Sequence, residues 1–598
     1  MIQEEIKNLL QHTLKELHII VSDISVEPVS ENKFGDYTSN IALKLSKDLK
    51  KKPLEIAQDI VCSIQKNKHI EKVEVAPPGF INFYLSKQFI ISELQTIPNT
   101  VLLNINEKKR VIVEYTDPNP FKELHIGHLF SNTVGESISR IMEASGATVR
   151  RVNYQGDVGL HVAKSVWGLD KKLNEDQLTI ADIEQRNIND RVQYLGQAYA
   201  KGSVSYVEDI TAQQEIKNLN AIIYSISQEE LTSKTHWIPQ INYEQQITNS
   251  HLDKKHIKEL YLNGKKWSLE YFEVIYHHLG TYFDDYYFES IVGEYGVQIV
   301  KEFLTKGVFE ESQGAVIYNG EKRGLHTRVF INSLGLPTYE AKELGLSSVK
   351  YSDWNYDKSI IVTGTEIKEY FKVLMSTMKE TNPSIAEKTI PLTHGMIKLP
   401  EGKMSSRNGN VVTIEWLINE AKNKLLTVIS SNDNVPLEDK DGVADTLAIC
   451  AIKYSLLRTN IGQDVVFTFD ESLSFDGNSG PYLQYTYVRA QSILRKESTI
   501  QTINNANHIL LEPEESILIR KILLFPLVLT NASTKLQPHL VCNYLFEIAQ
   551  LYNNFYHKFS VLKSEGDIKT IRLRITHGVS NILKQGLELL GAKVVEKM

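Results

Sequence analysis

The strongest hydrophobic pattern in the chain is a run of β-branched residues followed by a loop and a helix. Residues 110–115 predict a buried parallel strand, and residues 129–144 repeat apolar positions at helical spacing until Gly146. Strand, loop and helix in this order make half of a βαβ unit. In such a unit the loop and the first helical turn lie at the carboxyl end of the sheet, where free backbone N–H groups and the helix dipole favour a phosphate group.

Apolar patterns further along the chain predict that this unit begins a doubly wound sheet. Residues 149–154 predict a second strand, which runs into a tight loop at residues 156–159. Further parallel strands are predicted near residues 314–318, 327–330 and 360–362. Between the two groups of strands, residues 165–290 are polar and helix-forming. This pattern favours a helical insertion that carries no chemistry of its own.

The two ends of the chain predict separate modules around this central sheet. Helical stripes and a strand pair at residues 71–85, interrupted at Pro77-Pro78-Gly79, predict an N-terminal α+β module. Long helical stripes from about residue 475 predict a C-terminal α-helical bundle. The predicted fold class is therefore multidomain α/β, with a doubly wound, Rossmann-like parallel-sheet domain at its centre. The predicted regions are residues 1–97, the N-terminal module; 98–164, the first half of the sheet domain; 165–290, the insertion; 291–398, the second half; 399–474, a loop region; and 475–598, the helical bundle.

Length and charge narrow the class of protein. A chain of 598 residues with 42% hydrophobic content is too long for a single core. Its net charge of −7 argues against a general nucleic-acid coat. The charge is uneven, because residues 481–598 carry 14 lysines and arginines against 9 aspartates and glutamates. A basic terminal module on an acidic body suits a protein that binds a polyanion at chosen places.

The scattered cysteines fit a reducing compartment, and the apolar runs are too short to predict a membrane span. The cysteines, Cys62, Cys450 and Cys542, are too widely scattered to predict a disulfide framework or a zinc site. The longest apolar run, residues 522–529, is far shorter than the ~20 residues of a membrane span. The N-terminus is acidic and amphipathic, without the basic start of a signal peptide. We therefore expect a cytoplasmic protein without zinc or a membrane partner.

Two histidines begin the helix that follows the first strand. His125 and His128 are three residues apart and therefore lie on one face of the first turn. Gly127 between them removes a side chain where a flat ring could lie close to the backbone. Such short motifs also arise by chance, and most histidine pairs on helices belong to a surface or a core. The strand–loop–helix setting favours a functional site instead.

A companion segment lies far downstream. Residues 402–409 form a basic, serine-rich loop between the largely apolar residues 393–399 and the strand-like residues 411–414. Together, the histidine pair and this loop resemble the paired signatures of class I aminoacyl-tRNA synthetases. The pairing is far more specific than either motif alone.

Further segments narrow the resemblance to the arginyl-tRNA synthetases, and it extends over nearly the whole chain except the insertion. The N-terminal module is the discriminating feature, since most class I relatives begin directly with the nucleotide-binding fold. The segments that carry the resemblance are residues 34–37, 79–82, Pro118-Asn119 with Lys122 before the first histidine, 154–161, 337–345 and 402–409.

The resemblance implies a two-step reaction. Arginine and ATP give arginyl-adenylate and pyrophosphate, and the arginyl group then passes to the 3'-terminal ribose of tRNA(Arg). The first step is an in-line attack on the α-phosphate, in which the protein mainly positions groups and stabilises charge. Arginine, ATP as a substrate and tRNA(Arg) are the expected partners, with Mg2+ bound mainly through the ATP phosphates. We expect a monomer in which residues 399–474 contact the tRNA stem and residues 475–598 bind the anticodon.

The resemblance also assigns the phosphate-binding residues. His125 and His128 would donate hydrogen bonds to the triphosphate. Many class I enzymes stabilise the leaving pyrophosphate with a lysine where this chain has Ser406. Arginyl enzymes with this gap place a lysine three residues before the first histidine, so we assign the charge to Lys122 together with Lys403; otherwise Lys122 would be a solvent-facing loop residue. The other expected ATP contacts are Gly127, Gly156, Asp157, Gly159, Met404, Ser405 and Arg407.

Arginine recognition calls for carboxylates, because a guanidinium is a planar fork of donors. By resemblance, Glu114 and Asn119 lie near the α-amino and carboxylate end of the substrate, and Tyr339, Glu343 and Glu289 face the guanidinium. A helix that starts near residue 338 would place Tyr339 and Glu343 on one face.

Two departures from the family pattern affect this pocket. Relatives more often carry aspartate where Glu343 stands, so the pocket would shift by about one methylene group. Relatives also carry a glutamine near the substrate amine, whereas this chain has Glu366 and Ile367. Ile367 belongs to an apolar stripe, so the residue that takes over this contact stays unassigned.

For tRNA, Phe80 and Asn82 match positions that meet a D-loop nucleotide in the family, one by stacking and one by reading a base edge. Alternatively, Phe80 is a strand core residue and Asn82 caps a turn. Tyr556 and the terminal Met598 match anticodon-loop contacts.

Other functions stay open at this point. A synthetase for glutamate, glutamine or cysteine is disfavoured by the N-terminal module. A non-catalytic RNA-binding paralogue would have no chemical use for His125, His128, Lys122 and Lys403. A small-molecule adenylating enzyme would not explain the basic helical terminus.

Overall fold

A computed structural model describes residues 2–29, 34–235, 242–247, 253–399, 412–430, 436–497, 499–503 and 508–598. The chain divides into two compact units. The terminal unit comprises Met1–Val101, Tyr485–Val528 and Tyr544–Gln585; the central unit comprises Leu102–Gln484, Leu529–Asn543 and Gly586–Met598. The predicted N-terminal module and much of the predicted helical bundle thus share one unit.

The N-terminal module is a small antiparallel sheet with helices. Its sheet order is β1-β2-β4-β3, and the predicted strand pair is confirmed as the hairpin β3–β4, whose turn contains Pro77-Pro78-Gly79. The elements are α1 Ile2–Glu16, β1 Glu27–Pro28, β2 Tyr37–Ser39, α2 Ile41–Leu49, α3 Pro53–Ser63, β3 Ile70–Ala76, β4 Phe80–Leu85 and α4 Lys87–Gln95. Within the terminal unit, Asp36 accepts the N–H of Leu85 at 2.7 Å and pairs with Arg520. This ion pair joins the module to the C-terminal helices.

The central unit starts with the predicted strand, loop and helix. A helical insertion follows, as predicted, but a further sheet strand, β7, lies at its end and was not recognised in the sequence. The elements are β5 Arg110–Glu114, α5 Ile126–Ala144, β6 Thr148–Gln155, α6 Leu160–Asp176, α7 Ile180–Glu184, α8 Ile188–Glu208, α9 Ile210–Thr235, α10 Lys254–Leu279, β7 Asp285–Phe288 and α11 Glu289–Thr305.

The second half of the sheet domain corrects one prediction. Residues 314–318 and 327–330 were expected to be parallel strands, but they lie in an antiparallel sheet of order β10-β9-β8. The connection between β9 and β10 is too short for the crossover that parallel pairing requires. The elements are β8 Glu310–Ser312, β9 Ala315–Tyr318, β10 Arg328–Ile331, α12 Tyr339–Asp353, β11 Lys358–Gly364, α13 Lys368–Thr381, α14 Pro383–Lys388, β12 Thr389–His394 and β13 Ile397–Lys398.

The last part of the chain is mainly helical, as predicted. The predicted strand at residues 411–414 is wrong where it is described, because Thr413 caps α15 and accepts the N–H of Trp416 at 3.3 Å. The elements are α15 Ile414–Ile429, α16 Lys440–Leu457, β14 Val465–Val466, α17 Phe469–Ser472, α18 Gly480–Lys496, α19 Pro513–Leu523, α20 Phe525–Lys535, α21 His539–Lys558 and α22 Gly566–Leu589. Among the described helices, the stretch Pro513–Lys535 has the length and apolarity of a membrane span, which is weak evidence by itself.

The central sheet has the order β12-β11-β5-β6-β7, and all its strand pairs are parallel. This confirms the predicted doubly wound class, with residues 360–362 inside β11. One buried cluster joins the sheet to α11, α12 and α13, while α5 contacts β5, β6 and β11. Since parallel strands end at one edge, the loops after β5 and β6 meet there with the start of α11, which follows β7 directly.

The insertion helices α6 and α8 approach each other so closely that their glycines are required. A Cβ atom on Gly168 would lie 1.9 Å from the carbonyl oxygen of Ala198, and one on Gly202 would lie 2.0 Å from that of Lys164. Backbone atoms cannot yield as a flexible side chain can, so any side chain here forces the helices apart.

We predict that Gly168→Ala destabilises the protein by about 1–3 kcal/mol, the usual cost of overpacking. Thermal unfolding monitored by circular dichroism would show a lower midpoint. Gly442→Ala in α16 is the matched control, because a Cβ atom there meets nothing within 4 Å. It should leave the midpoint unchanged or raise it slightly, since alanine restricts the unfolded chain. Equal midpoints for the two variants would contradict the tight crossing.

Candidate active site

The histidine pair forms a reciprocal cap at the start of α5. The Nδ1 atom of His125 accepts the N–H of Gly127 at 3.1 Å, and the Nδ1 atom of His128 accepts the N–H of His125 at 3.1 Å. The two rings stack with their centroids 3.8 Å apart. Because each Nδ1 atom accepts a hydrogen bond, the proton of each neutral ring is on Nε2.

The surroundings keep both rings neutral. Burial lowers the pKa of His125 and lowers that of His128 well below its usual value, and the charge of Lys122 lowers both pKa values further. Gly127 is required here, because a Cβ atom would lie 2.8 Å from the His125 ring. The first turn of α5 thus combines two neutral histidines, a nearby ammonium and the positive end of a helix dipole, which together favour an anion.

The loop between β5 and α5 is held in a strained conformation. Thr116, Asp117 and Phe121 have positive φ angles of 77°, 44° and 70°, which non-glycine residues rarely adopt. One hydrogen bond holds each of them: Thr116 N–H to Ser131 Oγ at 3.0 Å, Tyr154 N–H to Asp117 Oδ1 at 2.8 Å, and Phe121 N–H to Ser268 Oγ at 2.8 Å.

The downstream serine-rich loop lies outside the described residues, and so do the expected site residues Lys403, Met404, Ser405 and Arg407. The residues that follow it are described. The N–H of Ile126 donates to the carbonyl of Val412 at 3.2 Å, and the N–H of Ile414 donates to that of Leu124 at 3.1 Å. Residues 412–414 therefore pair with residues 124–126, on either side of His125.

A cluster of acidic side chains lies beyond the ends of β5 and β6. It comprises Glu114, Asp117, Glu289, Glu340 and Glu343. Burial raises the pKa of Glu343 to about 8, and the charges of Glu114 and Glu289 add to the effect. Burial and the charge of Glu114 likewise raise the pKa of Asp117 well above its usual range.

Cations neutralise only part of this cluster. Lys350 pairs with Glu114, Lys342 pairs with Glu289 at 2.5 Å, and Arg328 lies 3.5 Å from Glu340. Among the described residues, no cation lies within ion-pair distance of Glu343 or Asp117. A bound cation would therefore restore the charge balance, and the raised pKa values would fall.

Polar atoms without partners lie beside the same carboxylates. Tyr154 Oη, Gln155 Oε1 and Tyr370 Oη are buried without a hydrogen-bond partner among the described residues. The charges of Glu289 and Glu343 raise the pKa of both tyrosines, after the larger effect of burial. Since an unpaired buried polar group costs ~1–3 kcal/mol, these atoms favour a ligand rich in hydrogen-bond donors and acceptors.

The predicted start of α12 is confirmed, and it places Tyr339 and Glu343 one turn apart on the same helix. Tyr339 is half exposed, and the ammonium of Lys342 lies 5.3 Å from its ring centroid. Asn119 and Glu289 meet at Gly156, where a Cβ atom would lie 2.1 Å from Asn119 Oδ1 and 3.2 Å from Glu289 Oε1. Gly156 thus lies against Asn119 and Glu289, and its expected contact with ATP stays a prediction.

Two other expected site residues have partners within the protein. Asp157, expected to bind ATP, is completely buried; its carboxylate pairs with Lys265 at 2.7 Å and accepts both the N–H and the hydroxyl of Ser290, so it anchors the loop. Glu114, expected at the substrate amine, is 1% exposed and pairs with Lys350. Gly159 has a φ of 111° and caps α6, which accounts for it without a nucleotide.

Several residues near the site were not assigned from the sequence. His161 lies 2.8 Å, through Nε2, from the carbonyl of Gly156, and burial lowers its pKa to about 4. Lys342 pairs with Glu289 and lies beside the ring of Tyr339. His161 and Lys342 both belong to segments that carry the family resemblance, so their polar side chains could have marked them as site residues in the sequence. Tyr199 of the insertion, whose ring lies 4.1 Å from the Lys122 ammonium, had no such signal.

Of the residues expected to contact tRNA, Phe80, Asn82 and Tyr556 belong to the terminal unit and Met598 to the central unit. Phe80 is half-buried on β4 in the terminal unit. Asn82 is only 5% exposed, and its amide oxygen accepts the Thr38 hydroxyl at 2.7 Å, so the sheet already uses the group expected to read a base. Tyr556 is 38% exposed, and the Arg489 guanidinium lies 4.7 Å from its ring centroid. Met598 is partly exposed in the central unit.

Family models match three consecutive parts of the chain. "Arginyl tRNA synthetase N terminal domain" matches residues 4–85, "tRNA synthetases class I (R), catalytic domain" matches residues 93–469, and "DALR anticodon binding domain" matches residues 483–598.

Individual relatives cover the chain from end to end. An arginine–tRNA ligase of Fusobacterium nucleatum is 30% identical over 608 aligned residues, which cover 100% of this chain and 98% of that protein. One of Clostridium acetobutylicum is 28% identical and covers 100% and 99%. The fold is similar to that of the arginyl-tRNA synthetase of Thermus thermophilus, with a TM-score of 0.79, 23% identity and full coverage of both chains. The chain therefore belongs to the class I arginyl-tRNA synthetase family.

Proposed function

We propose that this protein is an arginine–tRNA ligase, which activates L-arginine with ATP and transfers the arginyl group to the 3'-terminal ribose of tRNA(Arg). The observation that supports the proposal is the pairing of residues 412–414 with residues 124–126, because residues 412–414 follow the downstream signature in the chain and residues 124–126 contain the first histidine. We further propose that the protein acts as a monomer in the cytoplasm, where its family works.

The phosphate end of the reaction would lie at the first turn of α5. The Nε2–H groups of His125 and His128 would donate to the triphosphate, and Lys122 with Lys403 would stabilise the charge that builds on the leaving pyrophosphate. Gly127, Met404, Ser405 and Arg407 complete the proposed ATP contacts. Mg2+ would enter as an ion carried by the phosphate oxygens. Among the described residues, no group of three or more acidic, histidine or cysteine side chains is arranged to hold a metal ion.

The amino-acid end would lie at the acidic cluster. The guanidinium would pair with Glu343, one of the two carboxylates that have no cation within ion-pair distance among the described residues, and its other donors would reach Tyr154 and Tyr370. Glu289 uses Oε2 for Lys342, while its Oε1 faces Gly156 and Asn119. We propose that this second oxygen contacts the substrate, that Asn119 binds the carboxylate end, and that Tyr339 closes the pocket. Asp117 would take the place that was expected for Glu114.

For tRNA, we propose that Phe80 stacks on a D-loop base and that Tyr556 and Met598 contact the anticodon loop. Asn82 would contribute only through its amide nitrogen, because its amide oxygen already accepts the Thr38 hydroxyl.

ATP–pyrophosphate exchange with each amino acid, with and without tRNA(Arg), tests the proposed function. Exchange should depend on arginine, since the uncompensated carboxylates select a cation. Exchange that depends on glutamate or glutamine would contradict the proposal, and no exchange with any amino acid would favour a binding-only role.

Lys122→Ala should slow arginine-dependent exchange by about 10²-fold, because a charge aimed at the developing anion would be lost. Affinity for tRNA(Arg), measured by filter binding, should change little. Lys164→Ala is the matched control, since Lys164 also lies over a tyrosine ring of α8, at 4.4 Å from Tyr206. Equal exchange rates in both variants would remove Lys122 from the reaction.

Glu343 should make arginine binding depend on pH. With a pKa of about 8 in the free protein, Glu343 is mostly protonated at neutral pH, whereas a guanidinium binds the ionised carboxylate. Arginine affinity should therefore rise about 25-fold between about pH 6.5 and about pH 8.5, with release of a proton. Calorimetry in buffers of different ionisation enthalpy measures both effects. Glu343→Gln should weaken arginine binding far more than ATP binding and should flatten the pH profile; a profile that stays steep would place the titration elsewhere.

A further inference from the structure

Helix α8 of the insertion reaches the loop that carries Lys122. The ring of Tyr199 lies under the Lys122 ammonium, with 4.1 Å between Nζ and the ring centroid. Burial raises the pKa of the Tyr199 hydroxyl, but the Lys122 ammonium, with smaller contributions from Ser203 and Lys164, outweighs burial, so the pKa is lowered. The two groups are therefore in direct electrostatic contact.

This contact suits the proposed task of Lys122. A lysine on a loop has a flexible stem, so something must hold its ammonium near the histidine pair. Among the described residues, no carboxylate lies within ion-pair distance of Lys122. An aromatic face attracts the cation without cancelling its charge, so the full positive charge stays available for phosphate.

The position of Tyr199 is itself fixed by the helix crossing. Gly202 of α8 lies against the backbone of Lys164, and Gly168 of α6 lies against the backbone of Ala198. Ala198 directly precedes Tyr199 in α8, and Gly202 follows Tyr199 by three residues. Helix α6 begins directly after Gly159, in the loop that also contacts Asn119, so the crossing ties Tyr199 to the site.

We propose that Tyr199 is a positioning residue, which holds the Lys122 ammonium beside His125 and His128 and lets it act in adenylate formation. The insertion would then contribute to the reaction, although its sequence favoured a helical elaboration without chemistry. This inference rests on the proposed role of Lys122.

The test is a double-mutant cycle in arginine-dependent ATP–pyrophosphate exchange with the full chain and tRNA(Arg). Tyr199→Leu should lower kcat about tenfold and leave the KM for arginine nearly unchanged, since a cation–π contact would be lost. Tyr199→Phe, which keeps the ring, should retain most of the activity. The double variant of Lys122→Ala and Tyr199→Leu should be no slower than Lys122→Ala alone, because the ring acts only through the lysine.

Tyr206→Leu is the matched control, because Tyr206 lies two turns further along α8 and contacts Lys164 in the same manner. Losses that add in the double variant, or an equal loss of kcat in Tyr206→Leu, would show a general structural effect and overturn the inference. Normal exchange in Tyr199→Leu with slow exchange in Lys122→Ala would overturn it while leaving the proposed function intact. Normal exchange in Lys122→Ala would overturn both.

Discussion

One short backbone pairing ties the start of α5 to a distant part of the chain: residues 124–126 pair with residues 412–414, which follow the downstream signature. The two segments are about 290 residues apart in the chain and meet at one helix terminus. The Nδ1 atoms of His125 and His128 cap this terminus, which leaves their Nε2–H groups as donors. A helix N-terminus attracts anions, so donors held in this way would bind a phosphate group with little reorganisation.

The site has two ends of opposite electrostatic character. At the phosphate end, Lys122 and two neutral histidines present a positive charge and hydrogen-bond donors. At the other end, Glu343 and Asp117 lie without a cation beside buried tyrosine hydroxyls that have no partner among the described residues. Glu114 and Glu289 are already balanced by Lys350 and Lys342. A bound cation such as a guanidinium would favour the ionised form of Glu343 and Asp117, whose pKa values are raised in the free protein.

The scaffold around these ends is held by buried ion pairs and by glycines rather than by the site residues themselves. Asp157 ties the loop after β6 to α10 through Lys265 and to α11 through Ser290. Gly168 and Gly202 let α6 and α8 touch at the backbone. The strained loop residues Asp117 and Phe121 are held by hydrogen bonds to Tyr154 and Ser268, in conformations that a free loop would leave.

Local sequence patterns by themselves determined the strand, loop and helix at residues 110–144, the hairpin around Pro77-Pro78-Gly79 and the start of α12 after Thr338. They did so because periodicity, turn residues and caps act over a few residues. Only the tertiary structure decided that β9 and β10 are antiparallel, that Asp157 and Glu114 are anchors, and that Tyr199 meets Lys122. The partners of these carboxylates lie 108 and 236 residues away in the chain. No local pattern records which distant side chain will neutralise a buried charge, because that depends on how the sheet and its helices pack.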